Sequence, residues 1–154
     1  GSVWVCTNAN GSGQLRVLAK MRLAPFGSAL ISGVYATNKW NPTAAYSVGG
    51  LTGTVEGVKI HRDGSYLVGM NWAAVYCTNP AQIGQAAITR NNAIIVNTEY
   101  NSRIASDTIQ GVQTLVTEAS AGDIIGVYYR LEGESSGQTN MVNYGGQLSV
   151  VEMP

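Results

Sequence analysis

Hydrophobic and polar residues alternate over short runs along most of the chain. A period of two residues is typical of a β-strand with one buried face, because successive side chains point to opposite sides. In the clearest run, residues 66–76, the face predicted to be buried carries Tyr66, Val68, Met70 and Trp72. No helix-start signal introduces a sustained apolar period of 3.6 residues. The pattern therefore predicts an all-β chain.

Turn signals divide the chain into short predicted strands. The strands cover residues 3–7, 14–23, 29–35, 44–48, 58–60, 66–76, 85–89, 93–98, 103–118 (one or two strands), 124–131 and 147–153. Residues 14–23 could pass for a helix, but their alternation, broken only at Leu18, favours a strand. Arg90-Asn91-Asn92 predicts a hairpin turn because asparagine tolerates positive φ, and Asn41-Pro42 is assigned to a loop. Strands at such close intervals indicate a sandwich, barrel or jelly roll.

The composition of the chain argues against two classes of function. Of the 154 residues, 12% are charged and the formal net charge is zero, whereas a nucleic-acid-binding protein would show a basic excess. No apolar run reaches the length of a membrane-spanning helix, so neither nucleic acid nor membrane insertion is expected. Gly1 and Ser2 look like the scar of a cleaved expression tag. The remaining length fits one domain, assigned to residues 3–154.

Four segments follow the order of motifs in the C1q/tumour-necrosis-factor jelly-roll superfamily. They are IHRDGSYLVGMNW (60–72), AAITRNNAIIV (86–96), TLVTEASAGDIIGVYYR (114–130) and NYGGQLSVVEM (143–153). They resemble, in turn, the family's glycine turn before an aromatic strand, its central hairpin, its Gly-Asp-x-Ile/Val-x-Val motif and its closing strand. The resemblance covers residues 57–154. It implies a two-sheet antiparallel jelly-roll sandwich that assembles as a homotrimer.

The resemblance also implies a role. The chain has a single phenylalanine, Phe26, unlike the Phe-rich animal C1q domains, which points to the bacterial, spore-surface and bacteriophage members. The expected function is a head domain of a phage fibre or spike, or of a bacterial surface fibre, that binds a host-surface glycan or protein. Such a domain lies on the virion surface or outside the cell. The alternative is a structural trimerisation or capsid-decoration module without a ligand.

Two segments are candidates for the contact between subunits. Residues 124–129 are apolar on both faces, so one face can fill the core while the other needs a second cover. The closing strand is similar, with Leu148, Val150 and Glu152 on one face and apolar residues on the other. We therefore expect the subunit contact to include Tyr128, Tyr129, Val151 and Met153.

Ligand binding is predicted where aromatic residues occur among polar ones. Trp40 stands beside Asn38 and Asn41 in a stretch assigned to a loop, and Tyr100 stands beside Asn101 in another. Sugars stack on aromatic faces and bond to amide groups, so these five positions are the candidate glycan site. The alternative for Trp40 is that its ring covers one end of the barrel.

No catalytic or cofactor chemistry is expected. Residues 133–137 match Gly-x-Ser-x-Gly, but a nucleophile elbow needs a helix after the turn, and His61, the only histidine, is interpreted as flanking a turn. Some jelly rolls of this family hold calcium near the trimer apex, which stays an alternative, although the aspartates are scattered in sequence. Asp123 is predicted to accept backbone N–H bonds in a turn. Cys6 and Cys77 are either two thiols or a disulfide.

Overall fold

The computed structural model describes residues 4–6, 15–25, 36–37, 40–75, 83–101, 109–132, 142–143 and 147–154. These residues contain β-strands and no helix. The strands are β1 (Trp4–Cys6), β2 (Leu15–Val17), β3 (Lys20–Pro25), β4 (Ala36–Thr37), β5 (Trp40–Val48), β6 (Thr52–Gly53), β7 (Val58–Lys59), β8 (Gly64–Val75), β9 (Ile83–Arg90), β10 (Ala93–Asn101), β11 (Ile109–Ala119), β12 (Ile124–Glu132), β13 (Val142–Asn143) and β14 (Gln147–Glu152).

The strands form two main sheets. Sheet I has the order β11-β8-β14-β3-β5, with β13 also paired to β8, and sheet II has the order β10-β9-β12-β7-β6, with β4 also paired to β12. Strands β1 and β2 pair separately, and every pair is antiparallel. The prediction of an all-β sandwich of two antiparallel sheets is confirmed.

The core lies between the two sheets. From sheet I it receives Tyr66, Val68 and Met70, none more than 1% exposed, which confirms the predicted buried face of β8. From sheet II it receives residues such as Ile125 and Val127, both fully buried. Trp72 continues β8 and its backbone pairs with β11, but its side chain lies outside the described part of the structure.

The hairpin between β9 and β10 forms as predicted. Asn91 and Asn92 adopt positive φ angles of 51° and 66°, as a two-residue type I′ turn requires. The Asn91 amide also donates to a carboxylate oxygen of Asp123 at 2.6 Å. The other oxygen of that carboxylate accepts the backbone N–H of Ser120 at 2.9 Å, which confirms the turn role of Asp123. Both contacts stabilise the charged form, so the pKa of Asp123 is lowered, first by the Ser120 bond.

Several predicted boundaries differ from the structure, and two of the differences change the assignment of a segment. The run at 14–23 is divided into β2 and β3 by Leu18 and Ala19, at the place where the alternation fails. The loop assigned to Asn41 and Pro42 is wrong, because both residues belong to β5. The predicted strand at 29–35 and the GxSxG stretch at 133–137 lie outside the described residues.

A buried carboxylate joins three parts of the sandwich. Glu152, at the end of β14, is 3% exposed and receives two bonds of 2.7 Å from the Arg62 guanidinium. Its Oε2 also accepts the backbone N–H of Ala19 at 2.9 Å, and its own N–H donates to the Ala19 carbonyl at 2.7 Å. The Tyr66 hydroxyl donates to the Arg62 carbonyl at 2.8 Å. Glu152 therefore holds β14, the start of β3 and the turn before β8 together.

Candidate functional site

The outer face of sheet I is the surface with the least expected composition. Directly opposed residues on neighbouring antiparallel strands point to the same side, and the strand register arranges this face in three rows. The first row runs Val116, Leu67, Val151, Lys20 and Val48; the second Thr114, Gly69, Ser149, Arg22 and Tyr46; the third Val112, Asn71 and Gln147.

Strand β11 presents its apolar residues to solvent. Val112 is 71% exposed and Val116 is 58% exposed. On the opposite side of the same strand, Gln113 is only 9% exposed, and its Oε1 has no hydrogen-bond partner among the described residues. A buried amide beside exposed valines reverses the usual distribution between core and surface. The valines of β11 are therefore the strongest indication of a surface that another molecule covers.

The apolar surface continues from β11 across sheet I. Leu67 on β8 lies opposite Val116, and Val151 on β14 lies opposite Leu67. Leu67 and Val151 are both half-buried. Three aliphatic side chains thus form one stripe across three neighbouring strands.

Gly69 leaves a hollow at the centre of this face, because it has no side chain. A β-carbon at Gly69 would lie 2.7 Å from the Ser149 hydroxyl oxygen, which itself donates to the Gly69 carbonyl at 3.1 Å. A hollow of about 170 Å³ lies over Gly69, between Thr114 and Ser149. A larger depression of about 400 Å³ lies next to it and is lined by Lys20, Met21, Arg22, Tyr46, Ser149 and Val151. The face thus carries two depressions that adjoin at Ser149.

Charge is distributed unevenly on this face. Lys20 and Arg22 lie two residues apart on β3, and the Lys20 ammonium sits 5.2 Å from the centre of the Tyr46 ring. This distance is within the range of a cation–π contact. Glu118 lies on β11, two residues beyond Val116 on the same face, and is exposed. The face is therefore basic on β3 and acidic at the far edge on β11.

Four of the five predicted ligand residues lie in described strands and not in loops. Trp40 is fully buried in β5, where its backbone N–H donates to the Val55 carbonyl at 2.8 Å. The interpretation of Trp40 as an exposed loop residue is wrong, because a ring without accessible surface offers no face to a sugar. Asn41 is half-buried in the same strand. Asn38 lies outside the described residues.

The second candidate loop is also a strand. Tyr100 and Asn101 end β10, where they pair with Gly84 and Ile83 of β9, so their assignment to a loop is wrong. Their side chains lie outside the described part of the structure.

The residues predicted for the subunit contact are divided between the two sheets. Val151 lies on the outer face of sheet I. Tyr128 is half-buried on the outer face of sheet II, because its neighbours Ile125 and Val127 fill the core. Tyr129 pairs with β9 and β4 through its backbone, and Met153 follows β14 with its N–H bonded to the Ser65 carbonyl at 2.8 Å. Val151 is thus the predicted contact residue that lies within the apolar stripe.

The described residues contain the single histidine but no grouped set of metal-binding side chains. His61 is half-buried just before the turn that leads into β8 and lies beside Gly50. Within the described ranges, no three His, Cys, Asp or Glu side chains are grouped so that they could hold a metal ion. No helix in that part of the chain is long and apolar enough to cross a membrane.

Solved structures of other proteins share this arrangement of strands. The Eiger TNF of S. frugiperda superposes with a TM-score of 0.64 at 12% identity, over 89% of this chain and 93% of that one. Murine APRIL at pH 5.0 superposes with a TM-score of 0.66 at 16% identity, over 88% of this chain and 99% of that one. The chain has a TNF-like jelly-roll fold. No family model and no curated protein matches the sequence.

Two features of this TNF-like domain differ from what the sequence pattern predicts. The exposed valines were visible as one face of an alternating run, but alternation does not say which face is inside. The Glu152 site had a clearer signal, because a glutamate occupied the same face as Leu148 and Val150 in a strand with a buried side. An ionised residue at a core position needs a partner, and Arg62 supplies it.

Proposed function

We propose that this domain is a non-enzymatic homotrimeric module whose subunits associate through the outer face of sheet I. The observation that carries the proposal is the reversed composition of β11, with Val112 and Val116 exposed and Gln113 buried. Burying a valine side chain contributes about 1.5–3 kcal/mol, so covering this stripe in three subunits offers a substantial driving force. The trimer itself is what the resemblance to the C1q/tumour-necrosis-factor superfamily implies.

Within this assembly, the domain would serve as the head of a phage fibre or spike, or of a bacterial surface fibre. A threefold arrangement presents three copies of each loop on one end, and linked weak sites can exceed the affinity of one site by about 10²–10⁴. A host-surface glycan or protein is the proposed ligand, with Asn38, Asn41, Tyr100 and Asn101 as candidate positions. The domain would then be extracellular or on the virion surface.

A purely structural module is the second candidate function, and one observation favours it. Trp40, the tryptophan at the centre of the candidate glycan site, is fully buried, which removes the stacking surface on which that site depended. A structural module needs the subunit contact and no ligand. A glycan array probed with the wild-type trimer separates the two functions, because reproducible binding supports the head domain and a uniformly negative array favours the structural module.

The assembly is tested by light scattering coupled to size exclusion at micromolar concentration. The molar mass measured for the wild-type protein should be three times the 16.2 kDa mass of one chain. Val116→Asp should reduce the mass toward that of one chain, because it places a charge in the apolar stripe. Val55→Asp is the matched control, since Val55 is 50% exposed in the loop between β6 and β7 and does not belong to the apolar stripe. A wild-type monomer, or equal effects of the two variants, would contradict the proposal.

A further inference from the structure

Asp63 and Gly64 form the only Asp-Gly pair in the chain. In such a pair the glycine nitrogen can attack the side-chain carboxyl group of the aspartate, because glycine has no side chain that hinders the approach. The product is a five-membered succinimide ring. Hydrolysis of this ring yields either aspartate or isoaspartate, in which the backbone runs through the former side chain. The other two aspartates, Asp107 and Asp123, precede the β-branched residues Thr108 and Ile124.

The reacting groups lie at the surface and at the end of a strand. Asp63 is exposed in the bend that precedes β8, and Gly64 is the first residue of that strand. A β-carbon built on Gly64 would lie 3.9 Å from the Tyr66 ring, its nearest contact among the described residues beyond Asp63 and Ser65. The ring therefore has space to form, and water can reach it.

The turn between β11 and β12 supplies a hydrogen-bond donor to the reacting carboxyl group. The backbone N–H of Ala121 donates to Oδ1 of Asp63 at 2.8 Å. When a nitrogen adds to the carboxyl carbon, negative charge develops on one carboxyl oxygen, and a fixed donor about 2.7–3.1 Å from that oxygen stabilises the charge. Oδ1 is placed to take the charge, which leaves Oδ2 as the oxygen that departs.

We propose that Asp63 is a site of spontaneous isomerisation and that the Ala121 N–H assists the ring closure. The Gly64 nitrogen bonds to Cγ of the protonated Asp63 carboxyl group, and the nitrogen's proton leaves with the Oδ2 hydroxyl as one water molecule. Water then adds to the ring at the α-carbonyl carbon of Asp63. Cleavage of the original bond between that carbon and the Gly64 nitrogen gives isoaspartate. The inference is independent of the proposed assembly and of any ligand.

The isomerised backbone would disturb the site around Glu152. Isoaspartate adds one methylene group to the backbone and moves the carboxyl group that Ala121 binds. On one side of Asp63, Arg62 makes two bonds of 2.7 Å to Glu152. On the other side, the Ser65 carbonyl accepts the Met153 N–H at 2.8 Å. A longer link between Arg62 and Ser65 shifts both contacts, so the isomerised chain should melt at a lower temperature than the unmodified chain.

The test follows folded wild-type protein during incubation at mildly acidic pH. Isoaspartate is quantified with an isoaspartate methyltransferase and located by peptide mapping. It should accumulate at position 63 at least about tenfold faster than at Asp123 in the same molecules, because only Asp63 precedes glycine. Asp63→Glu is the matched control, since it keeps the charge but requires a six-membered ring, and it should remove the signal. Asp63→Asn is the positive control, because it reaches the same ring by loss of ammonia.

A peptide of residues 60–66 gives the rate for the same sequence without the Ala121 N–H. The folded protein should react at least as fast as this peptide. A slower folded protein would show that the bond from Ala121 holds the carboxyl group away from Gly64, and would overturn the proposal. Equal rates at Asp63 and Asp123 would also overturn it. An isomerised chain, separated by ion exchange, that melts like the wild type would overturn the coupling to Glu152.

Discussion

Replacing Arg62 by Met should destabilise the fold through Glu152. The substitution keeps an unbranched side chain but removes both 2.7 Å bonds to the carboxylate. Glu152 is then left 3% exposed without the guanidinium that faces its charge, although its carboxylate still accepts the Ala19 N–H. Removing one partner of a buried ion pair costs about 3–5 kcal/mol. Because the Arg62 side chain is 34% exposed, water can approach from that side, and we expect a smaller loss than this range, of about 2–3 kcal/mol.

The assay is thermal unfolding followed by circular dichroism, at one protein concentration because association shifts apparent stability. For a domain of this size each kcal/mol corresponds to about 2–4 °C, so the melting temperature should fall by about 4–12 °C. Glu152→Gln should cost about 1–3 kcal/mol, since its amide oxygen can still accept the Ala19 N–H. The double variant Arg62→Met/Glu152→Gln should cost at least about 1 kcal/mol less than the sum, because no unpaired charge remains.

Two outcomes would refute this reasoning. A loss below about 0.5 kcal/mol for Arg62→Met would mean that solvent or another group compensates the carboxylate, as at an ordinary surface pair. Additive effects in the double variant would mean that Arg62 and Glu152 act independently, although the two bonds join them.

The remaining predictions concern a buried ring, a turn carboxylate and a strained glycine. Trp40→Ala should cost about 3–5 kcal/mol in thermal unfolding, and a near-neutral result would contradict its burial. The pKa of Asp123 is lowered, chiefly by the Ser120 N–H. The stabilisation by this carboxylate is therefore present above about pH 4 and is lost as the pH falls through the folded pKa. The difference in melting temperature between wild type and Asp123→Asn should close toward pH 2, and a constant difference would argue against the turn bond. Gly57→Ala should lower the melting temperature clearly more than Gly122→Ala. Both glycines have positive φ, but only a β-carbon at Gly57 would meet a carbonyl oxygen, at 2.0 Å. Equal decreases in melting temperature would exclude the steric clash.

Local patterns predicted the elements that are governed by local chemistry. The Asn91-Asn92 turn followed from the tolerance of asparagine for positive φ, and the buried face of β8 followed from alternation. Strand β5 was missed at its start because Asn41 and Pro42 have low intrinsic strand propensity. Their place in β5 is set by pairing with β3, where Asn41 lies opposite Ala24. Such pairing joins residues that are far apart in the sequence, so a short stretch of sequence does not contain both partners.

The two faces of β11 show why the outer face of sheet I could not be predicted from the sequence. One face carries Gln113, Leu115 and Thr117 and the other carries Val112, Thr114 and Val116, so the apolar content of the two faces differs little. If the domain functioned alone, hydrophobicity would place the two valines inside and the glutamine outside. The register with β8 fixes the opposite arrangement, because Gln113 lies opposite Met70 and Leu115 opposite Val68, both of which are in the core. Moving the valines inward would require a one-residue slip of β11 that reverses every side chain of the strand. The exposed valines are therefore a consequence of the fold as a whole, and the second subunit that we propose on the outer face of sheet I would give them an apolar cover.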